Sequence, residues 1–348
     1  MPAPGYAARL VTSPTSASEL RPLALGELID RAVTFWRGHL KPLFLLSLGY
    51  SLVNYIATKG VLQLTRWLSP MLYEPDRPQP TLESLGRIAG STALWLALFM
   101  FLIWSYWLAM VASSRYIVSA QLGTPVSPKE SLRRGFSMLG PVTGAFLLSL
   151  LWSTGVSLLL TVPGGVLVVA GGIATAMDSS VLGTVLMVVG ILLAGLGLLA
   201  AFLWYFLRFL LLPPVLAMED LGAWAAFKRS RALLAGHVEP GFLGRGMVRA
   251  MILFTVVSLI LFSVHLVFSI PSWLVMLPYG NPFDAGTLAR TPQLLLVPVE
   301  ILQVAAQAFF SPVNFVACAF FYVDMRVRRE GLDLEQRMGS EPPSTQAA

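Results

Sequence analysis

The sequence predicts an all-α integral membrane protein: six transmembrane helices in three parallel helical-hairpin repeats, each preceded by an amphipathic interfacial helix. Three observations carry that prediction. Hydrophobic residues make up 56% of the 348-residue chain and charged residues only 12%, against about 25% charged in an ordinary soluble domain. Six apolar stretches approach or exceed the roughly 20 residues that a helix needs to cross a hydrocarbon core about 30 Å thick. The basic residues are also unevenly shared: a six-span topology places 19 of the 24 Lys and Arg on one side and 5 on the other. None of the stretches reads as a barrel strand.

The elements follow in chain order. Residues 1–22, "MPAPGYAARLVTSPTSASELRP", are rich in Pro, Ser and Ala and have no apolar core, so they read as a disordered cytoplasmic tail and not as a signal peptide. In "LGELIDRAVTFWRGHLKP" the residues Leu25, Leu28, Ile29, Ala32, Val33 and Trp36 gather on one side while Glu27, Asp30, Arg31 and Thr34 hold the other, as in a helix lying in the cytoplasmic interface. Gly38 ends that helix, and Pro42 suits the first turn of the next. Spans one and two are expected at 43–64 and 92–113. "SPKESLRRGFSMLGP" is a second interfacial helix, with Ser127 as N-cap and Pro128 at its first position.

Span three, 142–162, runs into "VPGGVLVVAGGIATAMDSS", where Pro163 and the Gly pairs break the helix and leave a half-helix or a re-entrant piece as alternatives. Span four, 182–212, is overlong, so it tilts or protrudes. Spans five and six cover 247–270 and 293–323, and residues 326–348 form a basic and then disordered tail. The membrane domain is therefore 23–325.

Charge sets the orientation. With both termini in the cytoplasm, the inner side holds 5, 4, 6 and 4 basic residues and the outer loops 4, 0 and 1, the bias expected of cytoplasmic loops. Arg outnumbers Lys 20 to 4, which hints at a GC-rich bacterial genome. The expected location is the bacterial cytoplasmic (inner) membrane.

A weak internal symmetry explains the count of six. "RAVTFWRGHLKPLF" (31–44) aligns with "RSRALLAGHVEPGF" (229–242) at an offset of 198, matching Arg31, Gly38, His39, Pro42 and Phe44 with Arg229, Gly236, His237, Pro240 and Phe242. At an offset of 102, "FLLSLGYS" matches "FLLSLLWS", and Arg31 and Gly38 fall on Arg133 and Gly140. The copies are about 23–121, 125–220 and 221–325. Two spans return the chain to its starting side, so the copies are parallel.

Three motifs, "LGELIDRAVTFWRGHLKPL", "GAWAAFKRSRALLAGH" and above all "FFYVDMRVRREGLDLE", resemble the membrane domain of the bacterial glycerophosphoryl diester phosphodiesterase family. The resemblance covers nearly the whole chain after residue 20. It implies a multi-pass module linked to envelope or lipid metabolism. In that family hydrolysis belongs to a separate barrel domain with paired His, Glu and a metal. No such barrel is present in this sequence, and no catalytic residue is carried over.

The residues themselves point to no enzyme. There is no phosphate-cradling Gly-Lys loop, HExxH or G-x-S-x-G elbow, and the glycines between 164 and 197 sit in apolar surroundings where close helix packing explains them. No cofactor, metal or nucleic acid is expected. His39 and His237 read as elbow residues bonding freed carbonyls, and Cys318 as a packing residue. Arg31, Arg133, Arg134, Lys228, Arg229, Arg231, Arg326, Arg328 and Arg329 fall at headgroup level, where they either bind anionic lipid headgroups or simply fix topology.

The sixth span carries the strongest signal. Glu300, Gln303, Gln307, Ser311 and Asn314 recur at intervals of 3, 4, 4 and 3 and so line one helical face. Unpaired polar groups in hydrocarbon cost several kcal/mol each, so the stripe is expected to face the bundle, with Asn54 or His265 as partners and a Glu300–His265 contact at comparable depth. It serves either as interhelical hydrogen-bond glue or as a hydrated, substrate-facing seam. The expected function is a non-catalytic membrane module, a scaffold or partner subunit to an unknown protein. The alternative is a transporter or lipid-handling channel built on the seam.

Overall fold

The computed structural model describes residues 21–68, 82–124, 126–241 and 244–332. The far N-terminal and C-terminal tails expected from the sequence lie outside the described residues. Everything described is helix or connection, and the only ladder-type pairing is one isolated bridge between His237 and Arg245. Six helices are long and apolar enough to cross a membrane: Leu40–Leu68, Leu85–Gln121, Leu139–Ala176, Ser180–Met218, Gly246–Tyr279 and Gln293–Glu330. All six expected spans are present, each longer than its apolar core alone indicates.

In chain order, α1 (Leu25–Gly38) turns through the single residue His39 into α2 (Leu40–Leu68), which packs against α3 (Leu82–Gln121). The next helix, α4 (Pro128–Ser137), turns at Met138 into α5 (Leu139–Ala176), which pairs with α6 (Ser180–Phe209), itself continued by α7 (Leu212–Met218). After α8 (Ala223–Leu234) come α9 (Gly246–Met276), the one-turn α10 (Ala285–Arg290), α11 (Gln293–Phe310) and α12 (Pro312–Glu330). Ser127 caps α4 as expected: its Oγ accepts from the Glu130 backbone N–H at 3.2 Å, and Pro128 opens the helix.

α1 does not leave its apolar face to the lipid. Leu28 and Ala32 are buried, the Trp36 indole donates to the Phe309 carbonyl at 3.1 Å, and Phe35 meets Phe320 edge-on. The helix covers α12 at the end of the bundle where the short helices gather, called here the basic end. α12 is the central strut: from Pro312 to Met325 every residue except Asn314 is buried. The helix also continues through Arg326 to Glu330. α7 is enclosed as completely, with Leu212 to Ala217 all buried.

Pro163 does not break the third span. α5 continues through it to Ala176 and ends at Met177–Ser179, where Asp178 takes φ 64°. Neither a half-helix nor a re-entrant loop forms, because a transmembrane helix tolerates the proline when a neighbour supports it. That neighbour is α6, held by a seam of small residues. A Cβ on Gly164 would sit 2.4 Å from the Ala194 nitrogen, one on Gly190 2.7 Å from the Gly164 oxygen, and one on Gly197 2.3 Å from the Leu160 oxygen. Glycine is required there for the backbones to approach. The outer faces of this hairpin, Leu159, Val166, Val181 and Leu196 among them, are exposed as lipid-facing residues should be.

The three elbows differ. The turn before α9 is not the one-residue bend found before α2 and α5; Ala235 to Gly241 is non-helical, with Gly236 and Gly241 at positive φ. Pro240 lies in that stretch, whereas Pro42 lies in the first turn of α2, so the two prolines are not equivalent. His39 donates from Nδ1 toward the Phe35 carbonyl at 3.0 Å, as an elbow residue should. His237 instead accepts at Nε2 from Arg245 Nε at 3.1 Å.

Candidate functional site

Toward the other end of the bundle α2 and α9 pack on either side of α11, with α3 behind α2, and the four helices border an open cavity of about 630 Å³. That lies within the roughly 300–1,000 Å³ typical of small-molecule sites. Its polar wall is built by two antiparallel helices. α2 contributes Ser51, Tyr55 and Lys59 at i, i+4 and i+8; α11 contributes Glu300, Gln303 and Gln307, and Ser311 follows at its C-cap. Trp95, Leu102, Leu261, Val264 and Phe268 supply apolar lining.

Glu300 is the centre of the wall. Its Oε1 accepts from Lys59 Nζ at 2.5 Å and its Oε2 from the Tyr55 hydroxyl at 3.0 Å, while Lys59 also donates to Gln293 Oε1 at 3.1 Å. Neither charged side chain is sealed in: Lys59 is 26% exposed and Glu300 18%. Among the described residues, Lys59 and Glu300 are the only Asp, Glu, Lys or Arg in the lining, one charge of each sign.

The seam read from the sequence thus divides. Gln303 donates to the Ser272 hydroxyl on α9 at 3.1 Å, and Asn314 bonds the Tyr106 hydroxyl on α3, both as interhelical ties. Gln307 is exposed and lines the cavity. Ser311 Oγ, like Ser51 Oγ on α2, is buried without a hydrogen-bond partner in the protein. Asn54 faces inward and accepts from Ser105 at 2.9 Å. His265 lines the same cavity but does not bond Glu300, whose two oxygens are occupied by Lys59 and Tyr55. Charge counting assigns Lys59 to an outer loop, and so the true partner is missed.

No family model, curated protein or solved structure matches this chain. The site therefore has to be read from its own chemistry. Among the described residues no group of three or more His, Cys, Asp or Glu side chains is placed to hold a metal.

The basic residues at the opposite end divide too. Asp324, its side chain wholly buried, accepts from Arg328 Nε at 3.0 Å on both oxygens, from the Leu23 backbone N–H at 2.9 Å and from Arg249 at 3.4 Å. Arg249 and Arg328 in turn donate to the Leu23 carbonyl at 2.8 and 2.7 Å, and both reach Glu239. This knot fastens the segment before α1 to α9 and α12. One helical face over, Arg229 pairs with Glu219 and Glu330, Tyr322 donates to Glu219 at 2.9 Å, and Arg326 bonds Glu330 at 2.8 Å. The hydrogen bond from Arg328 pulls the Glu239 carboxyl below its ordinary range, and that to Glu330 raises Arg229 further.

Arg229, Arg326 and Arg328, expected at headgroup level, are thus held by carboxylates of the protein. Arg31 pairs with Glu27 and Arg134 with Asp220. Arg133, Lys228, Arg231 and Arg329 are exposed, with Lys228 over the Trp224 ring at 5.4 Å. Cys318 is buried and bonds the Leu210 carbonyl at 3.3 Å, a packing position.

Proposed function

We propose that this protein binds and handles an amphipathic molecule in the cleft between α2, α9 and α11, without chemistry of its own. One observation carries the reading: a charged pair in the membrane-spanning region is left accessible from a cavity of about 630 Å³. Intramembrane ionisable residues are costly and, by default, functional. A pair kept only as glue would be expected to seal itself, as the Asp324 knot does. The resemblance to the membrane part of glycerophosphodiesterases points the same way, toward lipid metabolism.

In this reading the chain is a multi-pass protein of the bacterial inner membrane with its basic end and both termini in the cytoplasm, supported by the 19 to 5 division of Lys and Arg. It is also a three-copy repeat of interfacial helix and span pair. In support, the short helices begin at Leu25, Pro128 and Ala223, close to the offsets of 102 and 198 in the sequence match. A scaffold or partner-subunit role is the second reading.

The cleft reading is tested by cysteine accessibility. With Cys318 replaced by Ala, a Gln307→Cys variant in nanodiscs should react with a small hydrophilic thiol reagent, whereas Ala308→Cys, at a buried position, should not. A Gln307→Cys thiol as inert as the Ala308→Cys thiol would sink the reading and leave the scaffold role.

A further inference from the structure

We infer that the molecule taken by the cleft presents a zwitterionic group, whose anionic part engages Lys59 and whose cationic part engages Glu300. This rests on the cleft reading and adds the chemical class of the ligand. The argument starts from charge. Among the described residues the lining carries Lys59 and Glu300 and no other Asp, Glu, Lys or Arg. A ligand with a single negative charge would draw Lys59 away and leave Glu300 uncompensated in a low-dielectric site; a single positive charge would do the reverse. Breaking one partner out of such a pair is costly, while replacing both contacts at once is not. A zwitterion supplies both signs, and the pair opens with each charge still satisfied.

The donors and acceptors agree with this. Lys59 has three N–H donors and uses two, on Glu300 and Gln293; Glu300 has lone pairs left after Lys59 and Tyr55. Tyr50, Tyr55 and Trp95 add aromatic faces to the lining, the surfaces on which a substituted ammonium is held. Such a group comes from either of two sources, a phospholipid headgroup arriving from the bilayer or a free zwitterion arriving from water.

The test uses the full chain, purified in detergent and stripped of lipid. Phosphatidylcholine, phosphatidylethanolamine and phosphatidylglycerol of identical acyl chains are each added, and binding is followed by native mass spectrometry and thermal midpoint. Both zwitterionic lipids should be retained about tenfold better than phosphatidylglycerol. Glu300→Gln, which leaves Lys59 unopposed, should reverse that order. If Glu300→Gln fails to fold, the exchange Lys59→Glu with Glu300→Lys decides, since it keeps one charge of each sign and must keep the zwitterion preference. Competition by free methyl phosphocholine, a diester with one charge of each sign, identifies a soluble source, and its failure to compete identifies the lipid. Phosphatidylglycerol bound as well as the zwitterionic lipids by the wild type overturns the inference but not the cleft reading. Retention of none of the three lipids, with no effect of methyl phosphocholine on the thermal midpoint, overturns both.

Discussion

Along α12, Tyr322, Asp324, Arg326, Arg328 and Glu330 each bond another group of the protein, and Asp324 is sealed from solvent. Along α11, earlier on the same span, Glu300 and Gln307 remain accessible from a cavity. Both helices carry polar residues at helical spacing, and the spacing alone does not separate them. What separates them is whether each donor and acceptor finds its partner within the protein. A closed network is glue; an open one with a cavity beside it is a candidate site.

The largest effect is expected where the network is closed. Asp324→Asn leaves Arg249 and Arg328, at 5% and 6% side-chain exposure, without their shared carboxylate. Stranding buried charge in this way costs about 3–5 kcal/mol. Thermal unfolding in detergent should show a large drop in midpoint, or no folded protein at all. Glu300→Gln in the accessible pair should be far milder. Equal losses at the two positions would erase the distinction.

How much of this was legible in the sequence follows from the same comparison. The six spans were legible because hydrocarbon thickness fixes their length, and the α11 stripe because a 3–4 spacing is local. The α12 network was not, since its partners Glu219, Glu239, Arg229, Arg249 and Leu23 lie about 75 to 305 residues away in sequence. Its arginines therefore read as headgroup residues. Lys59 was legible in principle: it lies inside the span expected at 43–64, one turn after Tyr55 and two after Ser51. Counted among the basic residues of the first outer loop, it is not matched to the stripe, and His265 stands as the expected partner. Pro163 misled for another reason, because the α6 seam that supports its helix is a tertiary feature.

Removing both charges of the accessible pair would make the polar wall of the cleft more apolar. Lys59→Met and Glu300→Leu each strand one charge, and each should cost about 1–2 kcal/mol. The double variant removes both charges and should lose less than the sum of the singles, with a coupling of about 0.5–3 kcal/mol. Melting midpoints of the four proteins measure it. Additive losses would show that the pair is not coupled.

A smaller effect is expected from Glu239, at the exposed edge of the closed network. Its carboxyl is held below the ordinary value of 4.5 by Arg328. The folded state therefore binds its proton less readily than the unfolded one, and the stabilisation is complete above that ordinary value. It is lost as pH falls through the depressed folded value. At 47% side-chain exposure the contribution is small and screened by salt. The difference in midpoint between wild type and Glu239→Gln should shrink as pH drops below about 4.5. A difference independent of pH would assign the effect to packing.

The smallest effect on stability is expected at the two orphaned hydroxyls of the cleft, and it separates glue from site most sharply. Ser105 donates to Asn54 at 2.9 Å, so Ser105→Ala removes one interhelical bond, a loss of about 0.6 kcal/mol and at most about 1.7. Ser51 Oγ and Ser311 Oγ bond nothing in the protein. Removing a buried hydroxyl that has no partner removes a desolvation cost and no bond, so Ser51→Ala and Ser311→Ala should be neutral or slightly stabilising. If the stripe were glue along its whole length, both would destabilise the bundle as Ser105→Ala does. Midpoints of the three variants against wild type, under one detergent and one salt, decide between the two.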